Sequence, residues 1–140
     1  MIQFRKKHGP KRHSAGDGFS RFEAEVNAEL EANGIFNAGK TEPIPYDINA
    51  KYVPDFVLPN GIIIETKGWF PPEDRRKMAN VKRCHPELDI RFIFLKDQPI
   101  TKGSKTLYST WAEKHGFPWA LKTIPVDWIY EERRDTNTND

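Results

Sequence analysis

Asp55, Glu65 and Lys67 are the residues of this chain whose types and spacing best fit a shared chemical task. Between the two acids lies Pro59-Asn60-Gly61. Pro59 suits the second position of a type I turn, and Gly61 suits the left-handed residue that follows. The result is a three-residue hairpin loop in which Leu58 pairs with Ile62, so paired positions sum to 120 and Asp55 faces Glu65. Directly opposed residues have Cβ atoms about 4.5–5.5 Å apart. Lys67 comes two residues beyond Glu65 and shares its face. Phe56, Leu58, Ile62 and Ile64 point the other way, into a core. A two-residue loop at Asn60-Gly61 would instead separate the acids onto opposite faces.

Two facing carboxylates repel unless one is protonated or a cation lies between them. A divalent ion resolves that conflict, and hard oxygen ligands favour Mg²⁺ or Mn²⁺, which keep waters and take one or two carboxylates plus substrate phosphate. The alternative is a solvent-exposed pair that Lys67 neutralises.

The elements that must position these groups can be read from patterning. The 140 residues suit one domain. Ser20-Arg21-Phe22-Glu23 forms a capping box, and Phe22, Val26 and Leu30 recur every four residues until Asn33-Gly34 ends the helix. Pro43 and Pro45 make residues 41–50 extended, at an edge or between bodies. Residues 53–67 form the hairpin, and a helix runs from about Glu73 to Cys84, stopped by Pro86. Asp89 to Leu95 is a strand, Leu107 to His115 a short helix stopped by Gly116, Trp119 to Ile124 a further strand, and Val126 to Glu132 a final helical turn or two. This order predicts a mixed α/β domain. No apolar run approaches the roughly 20 residues of a membrane span, and no secretory leader is visible. One cysteine, Cys84, excludes an internal disulfide and a multi-cysteine zinc site, and fits a reducing compartment.

The formal charge of +2 is unevenly spread. Residues 1–21 carry Arg5, Lys6, Lys7, Lys11, Arg12 and Arg21 against Asp17 alone, and Arg75, Arg76, Lys77, Lys82 and Arg83 cluster mid-chain. Such asymmetry points to nucleic acid, although a solvated leader has the same composition.

Pro54-Asp55 … Glu65-Thr66-Lys67 is the PD-(D/E)XK nuclease pattern, here set on a hairpin. The chain further resembles the phage endonuclease I family of Holliday junction resolvases. That resemblance rests on Phe22-Glu23, residues 52–61 (YVPDFVLPNG), residues 64–68 (IETKG), residues 85–91 (HPELDIR) and residues 113–116 (EKHG). It spans about residues 19–130 in the family's order. The resemblance implies a restriction-endonuclease-like core, a mixed sheet flanked by helices, in a domain-swapped homodimer. Residues 1–18 would then be a flexible basic arm, 19–132 the endonuclease domain and 133–140 a polar tail. Within the domain, 19–42 would be the swapped segment and 43–50 its bridge.

The resemblance further implies that Asp55, Glu65 and the backbone carbonyl of Thr66 hold one Mg²⁺ or Mn²⁺. Glu23, from the other chain, would join Asp55 on a second ion, and Lys67 matches the family's catalytic lysine. By helical geometry Glu23 lies about 60° from the centre of the apolar stripe and Glu25 about 100° away on the other flank, which makes Glu25 the weaker candidate. Lys67 would orient the nucleophile, neutralise phosphoryl charge or take the proton of a water. Lys6, Lys7, Lys11, Arg12, Arg75, Arg76 and Lys77 are the candidate phosphate contacts for branched DNA, in the cytoplasm of a bacterial host. The tail Asp135-Thr136-Asn137-Thr138-Asn139-Asp140 departs from the basic ending of the family's better-known member. His85, Cys84 and His115 read as ordinary helix-end residues, and Trp111, Trp119 and Trp128 as core. Trp69 and Phe70 stand directly after Lys67-Gly68, where they either pack by the site or do not. Rival readings are a PD-(D/E)XK nuclease of other specificity (nicking, restriction-like or transposition) and a catalytically silent DNA-binding protein.

Overall fold

The computed structural model describes residues 18–47 and 50–133. The basic arm with Lys6, Lys7, Lys11 and Arg12 lies outside the described residues, as does the tail from 134 onward.

Helix α1 (Gly18–Ala32) buries Phe22, Val26 and Leu30, as the four-residue spacing predicts. It begins at Gly18, so Ser20 lies in its first turn and is not its cap, a shift of the size that helix ends commonly show. Gly34, at φ +81°, closes the helix as its amide bonds back to Glu31, while the Ile35 amide bonds to Leu30. Residues 44–52 are extended but fold back as a pair: β1 (Ile44–Asp47) runs antiparallel to β2 (Ala50–Tyr52), with an irregularity between Pro45 and Asp47.

The hairpin follows in the expected register. β3 (Phe56–Val57) pairs with β4 (Ile63–Lys67), Phe56 opposite Ile64. The Leu58 amide donates to the Ile62 carbonyl at 2.8 Å, and Gly61 takes φ +93°. Helix α2 (Pro72–Cys84) then crosses back to β5 (Ile90–Phe94), which lies parallel to β4. Helix α3 (Tyr108–Lys114) connects to β6 (Trp119–Leu121), parallel to β5, and α4 (Val126–Tyr130) ends the fold. The sheet order is β3-β4-β5-β6.

Strand alternation divides the core into two layers. Phe56, Leu58, Ile62, Ile64 and Ile93 face α1, together with Ile129 of α4. Tyr52, Ile63, Ile90, Phe92 and Phe94 face the other way, onto Met78 and Val81 of α2 and Tyr108 and Trp111 of α3. Each such apolar side chain contributes about 1.5–3 kcal/mol on full burial. Glu65 and Lys67 share the side of Ile63, so α2 roofs them over. At the far end of β4 the Asn60 amide donates to the carbonyls of Trp128 and Glu131, each at 2.9 Å. Arg91 grips Asp89 and Glu131 and lies over the Trp128 ring.

Candidate active site

Asp55 and Glu65 are only 4% and 2% exposed, which removes the reading of a solvated pair. Their positions follow from the hairpin, because β3 pairing stops at Phe56 and leaves Asp55 to continue alongside β4. Asp55 Oδ2 takes the place of a backbone carbonyl there, accepting from the Thr66 amide and the Thr66 hydroxyl, both at 2.9 Å. Tyr52, at the end of β2, donates its hydroxyl to Glu65 Oε1 at 2.8 Å.

Lys67 Nζ lies 3.6 Å from Glu65 Oε2 and 3.0 Å from Asp74 Oδ2 in the first turn of α2. Burial lowers the Lys67 pKa, but Glu65, Asp74 and Asp55 outweigh it and raise it to about 12. These carboxylates favour the protonated form of Lys67 in this site. Glu65 is pushed the opposite way for an acid, up to about 8, first by burial and then by the charge of Asp55. Lys67, Lys77 and the Tyr52 hydroxyl oppose that rise without cancelling it.

This donor set fits a hard divalent cation. Two buried carboxylates face each other, and one of them favours a proton where nothing else compensates its charge. A backbone oxygen is also available. Successive residues of a strand direct their N–H and C=O to alternate edges. The Thr66 amide turns to Asp55 while the Lys67 carbonyl accepts from Leu95 on the β5 side. The Thr66 carbonyl is thus on the Asp55 edge, outside the β4–β5 ladder.

Glu23 is half-buried on α1, beside Phe22, and α1 packs on the opposite side of β4 from Glu65 and Lys67. Among the described residues no three Asp, Glu, His or Cys side chains group so as to hold a metal ion, so Glu23, Asp55 and Glu65 of one chain do not form such a cluster.

The mid-chain cations divide. Arg75 Nη1 donates to the carbonyls of Phe70 (2.8 Å) and Ile100 (3.1 Å), which ties its guanidinium to the fold. Arg76 is exposed. Lys77 is half-buried near the carboxylates, and its pKa is lowered by burial and then by Lys67. Sequence reasoning missed Tyr52 and Asp74 as site residues. Tyr52 carries no local signal, while Asp74, as an acid in the first turn of α2, reads as an ordinary dipole partner. Cys84 and His85 bond the carbonyls of Tyr46 and Pro45, and the His115 ring stacks on Trp111, in keeping with structural roles.

The chain is 42% identical over 120 residues to Endonuclease I of Escherichia phage T7, covering 83% of this chain and 80% of that protein. It is 43% identical over 120 residues to Endodeoxyribonuclease 1 of Enterobacteria phage T3, covering 83% and 79%. The family model described as phage endonuclease I matches residues 4–140, and with these relatives it shows that the chain belongs to the phage endonuclease I family.

Proposed function

We propose that this chain is a metal-dependent, structure-selective DNA endonuclease that resolves four-way (Holliday) and other branched junctions by phosphodiester hydrolysis, working as a domain-swapped homodimer on DNA in the host cell. The observation that carries the reading is the burial of Asp55 opposite Glu65, with Lys67 on the same face, in a chain of a DNA endonuclease family.

Asp55, Glu65 and the Thr66 carbonyl would hold a Mg²⁺ or Mn²⁺ ion, with Glu23 of the partner subunit and Asp55 on a second. The chemistry such ions would supply there is an activated water and positive charge for an in-line displacement at phosphorus. The chain's own groups do the rest. Tyr52 fixes the orientation of Glu65, and Thr66 fixes that of Asp55. The Lys67 ammonium, kept protonated and aimed by Asp74, donates to phosphoryl oxygens as negative charge builds on them. A branch is recognised by shape, so phosphate contacts dominate binding. Arg76 and Lys77, with Lys6, Lys7, Lys11 and Arg12 of the arm, are the cations proposed for those contacts. In a two-fold dimer, two sites address two strands in one encounter.

The test incubates the protein with an end-labelled four-way junction and a matched linear duplex, with Mg²⁺ or with EDTA, beside Asp55→Asn. Paired cuts near the branch point that vanish with EDTA and with the variant are expected. Equal cutting of the duplex would leave a nuclease of other specificity, and binding without cutting in Mg²⁺ or Mn²⁺ would leave a silent DNA-binding protein.

A further inference from the structure

Immediately after Lys67 the chain spends several side chains on holding a short loop still. The Gly68 carbonyl accepts from Gln98 Nε2 at 3.4 Å. The Phe70 amide donates to the Tyr108 hydroxyl at 3.1 Å, and the Phe70 carbonyl accepts from Arg75 at 2.8 Å. The Phe70 ring is fully buried, edge-on to Trp111 at 4.9 Å and to Tyr108 at 5.7 Å. Pro71 is buried next to it, and Pro72 opens α2. Between these anchors stands Trp69, 72% exposed. Phe70 is turned inward while its neighbour Trp69 faces outward. The indole is therefore presented to solvent by a rigid loop, two residues from the lysine of the proposed reaction.

Exposed indoles on ordered backbone commonly mark recognition surfaces. A flat ring beside a phosphodiester-cleaving centre suits a nucleobase, because every base offers a π-face regardless of sequence. Continuous duplex DNA keeps its base faces covered by stacking, whereas a branch point uncovers the faces of the pairs that flank it. We infer that Trp69 is a stacking platform for a nucleobase exposed at the branch point, placed beside the phosphate that is cut. This inference rests on the branched-DNA reading above and adds to it the residue that senses an uncovered base. The buried Tyr108 and Phe70 and the tethered Arg75 act on substrate only through Trp69, as positioning residues.

The experiment uses the full-length protein in EDTA, which permits binding without cutting. A four-way junction carries 2-aminopurine at the nucleotide flanking the branch, and a linear duplex carries it at the matched position. Wild type is expected to prefer the junction and to quench its 2-aminopurine by stacking. Trp69→Ala is expected to lose about 10-fold in junction affinity and most of the quench. It should keep its melting temperature and oligomeric mass, because so exposed a side chain supports little of the fold. Trp69→Phe should recover much of both signals. In Mg²⁺, Trp69→Ala should raise KM more than it lowers kcat.

If wild type prefers the junction while Trp69→Ala binds it and quenches equally, the stacking role alone is overturned. If wild type shows no preference, the substrate reading fails and takes this inference with it. A loss of affinity accompanied by a change in mass would assign Trp69 to a subunit contact and overturn the stacking role.

Discussion

Glu65 carries a cost that folding alone does not justify. Its folded pKa lies near 8 against an ordinary 4.5, raised by burial and by Asp55. Between about pH 4.5 and 8 the cation-free folded protein holds a proton that the unfolded chain has released. Stability must therefore fall as pH rises through that window, and this group adds no further slope above it. Chelated protein is expected to melt progressively lower from pH 5 to 8, and Glu65→Gln to melt higher than wild type at pH 8 with a flatter profile. The same variant should lose cleavage by at least about 100-fold, since it removes one of the two carboxylates proposed, with the Thr66 carbonyl, to hold the first ion. Equal pH slopes in the two proteins would remove the burden assigned to Glu65. Asp74 makes the complementary case, because it touches Lys67 and not the carboxylates that face each other. Asp74→Asn keeps the shape and removes the charge, so kcat is expected to drop on the order of 10-fold with KM nearly constant, the usual scale for a supporting contact. A KM effect without a kcat effect would move Asp74 to substrate binding. Neither Asp74 nor Tyr52 could be read as a site residue from the chain alone. Their roles come from long-range packing of α2 and β2 over β4, whereas Asp55 and Glu65 are tied by a single local turn. Charge pattern named Arg75 as a candidate phosphate contact but carried no direction, and its Nη1 donates to the carbonyls of Phe70 and Ile100.

At the scale of elements, the hairpin is the part most fully written in the sequence. Pro59-Asn60-Gly61 specified the loop length, the loop length specified the register, and the register set acid against acid. Gly61 sits at φ +93° with open space where a Cβ would go. Gly61→Ala should thus cost about 1–2 kcal/mol through backbone conformation alone, read as a lower denaturation midpoint with unaltered cleavage. Asn60→Ala should cost about 1–3 kcal/mol for a different reason, since it strips the amide that holds the carbonyls of Trp128 and Glu131. If Asn60→Ala were neutral, those bonds would be replaceable by water. Proline told less at residues 43–50. It indicated extended chain, and β1 and β2 are extended, but the antiparallel return at their junction has no strong turn signature. The irregularity by Pro45 shows how a strand accommodates the missing donor.

At the scale of the whole molecule, the proposed swap decides which chain supplies Glu23 to a site. Phe22, Val26 and Leu30 pack α1 on the sheet of its own chain, and activity tests whether Glu23 acts in a partner's site. In a swapped dimer, co-expressed Glu23→Gln and Asp55→Asn chains form mixed dimers with one doubly defective site and one intact site. Each variant alone should be inactive, and the mixture should recover nicking at roughly the level of its mixed-dimer fraction. In an unswapped arrangement every site carries one lesion and the mixture stays dead. A stable monomer at micromolar concentration would exclude the swap outright. No helix among the described residues is long and apolar enough to cross a membrane.

Tyr52, Asp55, Glu65, Thr66, Lys67, Trp69, Asp74 and Lys77 all fall within residues 52–77, one uninterrupted stretch from the end of β2 to the middle of α2. Apart from Glu23, the proposed reacting centre is therefore a cassette. Transplanted as a block into a relative of the same sheet order, it would carry the Tyr52–Glu65 and Thr66–Asp55 hydrogen bonds and the Lys67–Asp74 pair with it, while the loop that presents Trp69 would still need its anchors at Gln98 and Tyr108. What such a chimaera inherited from the host framework would be reach: in the proposed dimer, the spacing between two cutting centres, and so the distance between paired nicks.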